Sequence, residues 1–382
     1  MTTLTRADRE HSVSTLELFF DLVFVFAITQ VTAYIAADPT WTGVLQGVLL
    51  LCLIYWSWIA YSWLGTSAAV ETRLVTAAFL VAMAGMFIVA ILLPQWFAGG
   101  TWAVVAVAGY FVVRAIHIAL FYLLGAQSPE LRRATLRLGV SAGAAVVLLL
   151  AGAIVGGTAE VVLVVLAVLI DPIGVFIGPS EGWYLSPDHF AERHGLLIII
   201  AIGESLIALG LTVSGADPDV GLIVMSLAGV LLAALVYVLY FRRTANGLTV
   251  ALAAQTGGAQ ARFGRDVFSY GHVLLIAGII SLALALKKIA GAVADDGLDA
   301  QLHGIAGPAV IAAGALIIGG TLLLRLRAGL GISGWLVVGL AISVTAGVLA
   351  LYLPAIAVLA VLTVGFMCAV APAATAELRP LP

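Results

Sequence analysis

The sequence predicts an all-α fold: a polytopic transmembrane helical bundle of about twelve spans, built as two six-helix parallel repeats. Three observations predict it. The composition is too apolar for a water-soluble chain of this length, the apolar residues fall in runs long enough to cross a bilayer, and Lys and Arg collect on alternate connections between those runs.

Of 382 residues, 63% are hydrophobic and 10% are charged, against about a quarter charged in ordinary soluble domains. Water cannot be kept from that much apolar surface in a soluble fold, whereas lipid is itself apolar. Inside a bilayer the backbone must satisfy its own hydrogen bonds, which leaves helices or a closed barrel. A barrel would alternate apolar and polar residues with period two. The runs here are unbroken, so helices are predicted. The formal net charge of −3 implies no soluble charged partner. Cys52 and Cys368 lie deep in apolar runs and read as small core or lipid-facing residues, not as a disulfide or metal framework.

A helical span needs about 20 apolar residues. Twelve runs meet this: 14–36, 42–64, 73–94, 101–124, 134–156, 159–178, 190–213, 220–241, 267–290, 304–325, 332–352 and 355–372. The first follows the mixed charges Arg6, Asp8, Arg9 and Glu10 directly and has no small-residue cleavage site, so a cleavable signal peptide is not expected. The fifth and sixth are parted only by Gly156, Gly157, Thr158 and Glu160. Short loops elsewhere make neighbouring helices antiparallel.

The Lys and Arg distribution sets the orientation. The N-terminus and every second connection carry Arg6, Arg9, Arg73, Arg132, Arg133, Arg137, Arg193, Arg242, Arg243, Arg262, Arg265, Arg325, Arg327 and Arg379. The other side carries Lys287 and Lys288 among acids such as Asp38, Glu160, Asp217, Asp219, Asp295, Asp296 and Asp299. The Arg-rich side is expected to be cytoplasmic, which places both termini inside a multi-pass protein of the bacterial plasma membrane. Lys287 and Lys288 can snorkel to the outer headgroups.

The chain divides into a first half, 1–157, a connection, 158–189, that includes the sixth span, and a second half, 190–382. Six crossings return the chain to its starting side, so a tandem repeat of six helices is parallel. Glu17 to Val31 and Glu192 to Leu206 open the two halves with similar patterns, each carrying a polar pair well inside the span: Thr29 with Gln30, and Glu204 with Ser205.

Ionisable groups within a membrane are costly and point to partners or roles. Six stand out: Glu17, Asp21, Arg114, His117, Asp171 and Glu204. Glu17 and Asp21 are four apart and share one face of the first helix. Arg114 and His117 are three apart on the fourth. Asp171 precedes Pro172, which removes a backbone donor and frees a carbonyl one turn earlier; a break there beside a carboxylate would suit a small cation. Glu204 lies between Gly203 and Ser205, small neighbours that permit close helix approach. Arg114 either locks the bundle by pairing with Asp21, Asp171 or Glu204, or belongs to a path. Glu17 either reaches the headgroups or joins that path. On this count a single Arg faces three deep acids, so the surplus must be protonated, hydrated or balanced by a cation.

His189, Glu192 and His194 open the seventh helix without a metalloprotease spacing, and read as a helix start with a capping acid. His272 reads as packing. The aromatics from Tyr55 to Trp63 read as an interfacial belt. No phosphate loop, nucleophile elbow or cysteine metal site occurs, so no catalytic residue, metal or cofactor is predicted. The basic loops follow from topology, so no nucleic acid is expected. The bilayer is the expected partner, with a cation, proton or small solute as cargo, and the oligomeric state is left open.

The run Glu17-Leu-Phe-Phe-Asp21-Leu-Val-Phe-Val-Phe-Ala-Ile-Thr-Gln30 resembles the first-helix signature of the bacterial low temperature requirement A (LtrA) family. The run His189-Phe-Ala-Glu192-Arg193-His194-Gly195, continued by Ile202-Gly203-Glu204-Ser205, resembles its second signature. Motif separation, length and span count fit the family over the whole chain. The resemblance implies an integral membrane protein and, through the family's name, a link to growth in the cold; it implies no particular activity. Phe19-Phe20-Asp21, with Val23-Phe24 and Ala27-Ile28-Thr29, is also similar to the Phe-Ser-Asp motif of lysosomal-type potassium channels. That resemblance makes Phe26 the matching position for a pore constriction. Phe20 stands where those channels have Ser, and Thr15 where they have Arg. The expected function is transporter-like or channel-like passage of a cation, proton or small solute. The alternative is a non-transporting membrane protein, either a lipid-modifying enzyme or an envelope scaffold or sensor.

Overall fold

The computed structural model describes residues 13–67, 72–177, 182–217 and 219–371. Arg6, Asp8, Arg9, Glu10 and Arg379, which enter the orientation argument, lie outside the described residues. Among the described residues the fold is helical, with one isolated β-bridge between Gln301 and Pro354.

The first six helices are α1 (Thr15–Ala37), α2 (Trp41–Ser67), α3 (Arg73–Leu92), α4 (Gly100–Leu124), α5 (Pro129–Val155) and α6 (Gly157–Ile177), with a 3₁₀ turn at Leu93–Ala98 before α4. After them come α7 (Pro187–Ser214), α8 (Val220–Tyr237), α9 (Ala245–Ala253), α10 (Gly257–Phe263), α11 (His272–Asp296), α12 (Ala306–Gly314), α13 (Gly320–Arg327), α14 (Gly334–Leu349) and α15 (Ala355–Ala369). Three π-helical turns, Val238–Arg242, Gly264–Tyr270 and Ala315–Gly319, join shorter helices into longer rods.

Local chemistry explains the helix starts. Ser14 and Glu17 form a reciprocal capping box at α1: Glu17 N–H donates to Ser14 Oγ at 3.3 Å, and Ser14 N–H donates to Glu17 Oε2 at 2.9 Å. Ser128 caps α5, which has Pro129 in its first turn, and the Asp219 side chain caps α8. Pro187 opens α7, where its missing N–H costs no helical bond.

Among the described residues, ten helical segments are long and apolar enough to cross a membrane, and two apolar helices are shorter, Gly334–Leu349 and Ala355–Ala369. The chain is therefore a polytopic helical membrane protein. The eleventh and twelfth predicted runs yield helices of 16 and 15 residues, about 24 Å long at 1.5 Å per residue. Pro354 explains the shortening. It cannot extend a helix from α14, and the next residue, Ala355, donates its N–H to Ala300 O at 2.7 Å instead. Conversely, the eighth and ninth spans run beyond their predicted ends, over Val220–Ala253 and Gly257–Asp296, because the π turns carry the helix onward.

The chain forms two compact units. One holds the described residues of Met1–Tyr34 with Thr42–Arg193 and Gln255–Gly264; the other holds Ile35–Trp41, His194–Ala254 and the described residues of Arg265–Pro382. In the first unit, close approach rests on small residues. A Cβ at Gly85 would stand 3.0 Å from Gly109 O, and one at Gly109 would stand 2.8 Å from Gly85 O, so α3 and α4 touch backbone to backbone. In the second unit a Cβ on Gly314 of α12 or Gly365 of α15 would collide with Ser343 of α14, so these helices pack on the same pattern.

Candidate functional site

The first unit buries two charged nodes. The larger joins α1, α2 and α7. Glu17 and Asp21, one turn apart on α1, present both carboxylates to α7, where His189 and Arg193 are also one turn apart. Equal spacing on two helices makes a ladder. His189 Nε2 lies 3.1 Å from Glu17 Oε2. Arg193 Nη1 lies 2.9 Å from Glu17 Oε1, and Nη2 donates to Asp21 Oδ1 at 2.7 Å. Trp58 on α2 donates its indole N–H to the same Asp21 oxygen at 2.9 Å, and its ring lies 5.7 Å from the Arg193 guanidinium. Ser14 Oγ completes the shell of Glu17 Oε2 at 3.0 Å. All four ionisable side chains are sealed from solvent, at 0% exposure.

The segment before α7 holds the ladder in register. Ser186 N–H donates to Thr66 Oγ1 at 2.7 Å, and Ser67 Oγ donates to Tyr184 O at 3.1 Å, which ties that segment to the end of α2. Gly65 makes the room. A Cβ there would collide with Glu17 Oε1 and stand 3.5 Å from His189 Cε1.

The second node joins α2, α4, α5 and α6. Arg114 Nη2 donates to Asp171 Oδ2 at 2.5 Å, Trp56 donates its indole N–H to that oxygen at 2.9 Å, and Ser141 Oγ donates to Oδ1 at 3.1 Å. Gly174, three residues after Asp171, admits the approach: a Cβ there would stand 2.7 Å from Ser141 Cβ. Between the nodes, Tyr61 packs on Phe20 at 4.6 Å and on the His117 ring at 5.8 Å, and donates its hydroxyl to Val113 O at 2.8 Å.

The two nodes differ in charge. Arg114 and Asp171 are balanced one to one. Among the described residues two carboxylates face one guanidinium at the α1–α7 node, a count one negative charge out of balance unless Glu17, Asp21 or His189 carries a proton. An unbalanced charge in so dry a place is costly.

Several sequence expectations change here. Arg193, counted among the loop cations, is buried and pairs with both acids of α1, so the described residues of the first unit hold two deep arginines rather than one. Glu17 does not extend outward from the protein but is enclosed by Ser14, His189 and Arg193. The helix does not break at Pro172; α6 runs through it to Ile177, and Arg114 already occupies the cation position beside Asp171. Trp58 and Tyr61 are core residues at 1% and 0% exposure, not an interfacial belt. Glu192 does not cap α7, which starts at Pro187, and its carboxylate accepts from Val13 N–H at 3.2 Å. Glu160, grouped with the loop acids, is buried.

Of the remaining predicted residues, His117 is buried against Tyr61 and Phe121. Phe26 packs on Phe87 at 5.4 Å. Glu204 is buried in the second unit, where His194 lies 5.0 Å from the ring of His272. His272 in turn meets Tyr240 Oη at 2.8 Å and Val267 O at 3.0 Å. The residues that sequence reasoning passed over, His189, Arg193 and the two tryptophans, carried a signal. The four-residue spacing of His189 and Arg193 repeats that of Glu17 and Asp21.

The fold and the buried nodes define a multi-pass helical membrane protein with two sets of ionisable residues paired inside the protein. The chain belongs to the bacterial low temperature requirement A protein (LtrA) family, whose profile matches residues 12–371. It is similar to an uncharacterized protein of Rhizobium meliloti (strain 1021), 28% identical over 289 residues that span 70% of this chain and 67% of the relative. No solved structure matches the chain. The two runs that resemble the family's signatures meet at the α1–α7 node, one supplying Glu17 and Asp21 and the other His189 and Arg193.

Proposed function

We propose that this protein moves a proton, or a cation or small solute coupled to one, across the bacterial plasma membrane, and that the α1–α7 node is its proton-binding site. The observation that supports this reading is the charge imbalance: two buried carboxylates and a histidine share one arginine. Such a cluster changes its net charge by taking or losing a single proton, and that change alters which hydrogen bonds between α1 and α7 are favourable. The balanced Arg114–Asp171 pair is assigned a structural role, fixing α4 against α6. The Arg distribution supports an orientation with both termini in the cytoplasm, which places the node toward the cytoplasmic side.

The test uses purified protein in liposomes loaded with a pH-sensitive dye, under a potassium diffusion potential. Wild-type vesicles should acidify faster than protein-free ones, alone or on addition of a screened cation or solute. Glu17→Gln should bring the rate down to the protein-free level. Wild-type vesicles that match empty ones under every condition would reject transport, and leave the scaffold or sensor reading.

A further inference from the structure

Among the described residues the first unit carries a fourth buried acid, one that neither node uses. Glu160 sits in the first turn of α6, and its side chain is 1% exposed. Neither carboxylate oxygen has a hydrogen-bond partner among the described residues. The packing around it is close. A Cβ on Gly152 of α5 would stand 3.4 Å from Glu160 Cγ and 3.5 Å from its Cα, so α5 lies directly on the side chain. Gly156 and Gly157, both at positive φ, make the turn that folds α6 back onto α5. The 3₁₀ turn Leu93–Ala98 packs on both helices with Leu93 and Trp96 buried, and a Cβ on Gly99 would stand 3.7 Å from Gly156 Cα.

No cation is supplied from these neighbours. The Leu93–Ala98 turn contains no ionisable residue. The charged residues of α5, Glu130, Arg132, Arg133 and Arg137, all lie in its first nine positions, at the end remote from Gly152. On α6 itself the other acid is Asp171, eleven residues further and paired with Arg114. Among the described residues no group of three or more His, Cys, Asp or Glu is gathered to hold a metal ion, and the turn's one amide, Gln95, is exposed; hard cations need about six oxygens. An ionised carboxylate without partners in such a place is strongly disfavoured, and a carboxyl group answers that cost by keeping its proton.

We propose that Glu160 is a proton-binding site, its carboxyl held as a neutral acid in the pocket between α5, α6 and the Leu93–Ala98 turn. It lies at the opposite end of the first unit from the α1–α7 node. Trp183, which follows α6, packs on Trp63 near the end of α2 and on Phe121 near the end of α4, so the even-numbered helices finish where α1 and α7 begin. The unit therefore has an acid site at each end. The assignment of Glu160 stands on its own geometry and does not depend on the transport reading.

Dicyclohexylcarbodiimide tests it, because this apolar reagent reacts with protonated carboxyls in dry surroundings. The carboxyl proton passes to a carbodiimide nitrogen, the carboxylate oxygen bonds to the central carbon, and the acyl group then shifts from oxygen to nitrogen to leave a stable N-acylurea. Full-length protein in membranes is treated at about pH 6 and about pH 9, then digested and mapped by mass spectrometry. Glu160 should carry the adduct, at a level about tenfold or more above Asp171, which is paired one to one with Arg114. Labelling should decline at the higher pH. It should vanish in Glu160→Gln, which should keep the wild-type melting temperature because it replaces one neutral group with another of the same shape. No adduct at Glu160 at the lower pH, or an adduct no more abundant than at Asp171, would overturn the proposal. Suppression of labelling by added sodium or potassium would overturn it in favour of a metal cation. Failure of proton flux in liposomes would leave this result untouched.

Discussion

At the scale of single residues, the account turns on which charges have partners. Arg193 is the only guanidinium in contact with Glu17 and Asp21 among the described residues. Arg193→Gln would strand two carboxylates together, and losing one partner of a buried pair costs about 3–5 kcal/mol. Glu17→Gln acts in the opposite sense, because Arg193 and Asp21 then balance one to one and no stranded charge remains. The expected outcome in thermal unfolding of the detergent-solubilised protein is a severe loss for Arg193→Gln and a small change for Glu17→Gln. Similar losses from both would mean that the node is a set of independent pairs rather than one shared charge. The acids were legible in the sequence because deep carboxylates are rare. Arg193 was not, because an arginine near a helix start has the same appearance whether it marks a membrane edge or turns inward. His189 was misread for a related reason: beside Glu192 and His194 it suggests a helix cap, and only its four-residue spacing to Arg193 hints at the ladder.

Helix α2 is the element that joins the two nodes. Trp56 and Trp58, two residues apart, point to different sides of the helix, one indole N–H serving Asp171 and the other Asp21. The same helix supplies Gly65, which gives Glu17 its space, and Tyr61, which fills the layer between the nodes. Trp56→Phe keeps the aromatic bulk and removes one bond to a charged acceptor, worth about 1.5–3 kcal/mol. Asp171→Asn should cost more, about 3–5 kcal/mol, because it leaves Arg114 buried without its counter-charge. That order, read by thermal or denaturant unfolding, checks the structural role given to this node; an Asp171→Asn protein as stable as wild type would remove it. Sequence reasoning read the α2 aromatics as a belt because Trp and Tyr clusters near span ends usually are one. What distinguishes them is the polar edge of each indole, and its acceptor lies on a helix distant in sequence. Pro172 misled in the same way. Proline predicts a break, yet α6 continues through it.

For the whole molecule, composition and run length were sufficient to establish the class, since no soluble fold covers so much apolar surface. Span ends were less legible where π turns prolong the helices of Val220–Ala253 and Gly257–Asp296, or where Pro354 separates two short ones. The orientation proposed from the Arg distribution is open to direct test. Reporter fusions after Pro129 and after Gln255 should report cytoplasm, and a fusion near Asp296 should report the exterior. A cytoplasmic signal at Asp296 would break the alternation on which both the twelve crossings and the placement of the α1–α7 node rest.

In the function proposed above, the α1–α7 node carries one negative charge too many and meets the excess with a proton. Proton counting tests it most directly. Purified protein in unbuffered detergent is titrated with acid and base, and wild type is compared with Asp21→Asn. The amide variant has a single carboxylate facing Arg193, so its node needs no proton. The account predicts that, over some interval of the titration, wild type binds one more proton per chain than the variant, and that the variant remains folded throughout that interval. Superimposable titrations of two folded proteins would contradict the claim, because Asp21 would then contribute nothing to proton binding at the node.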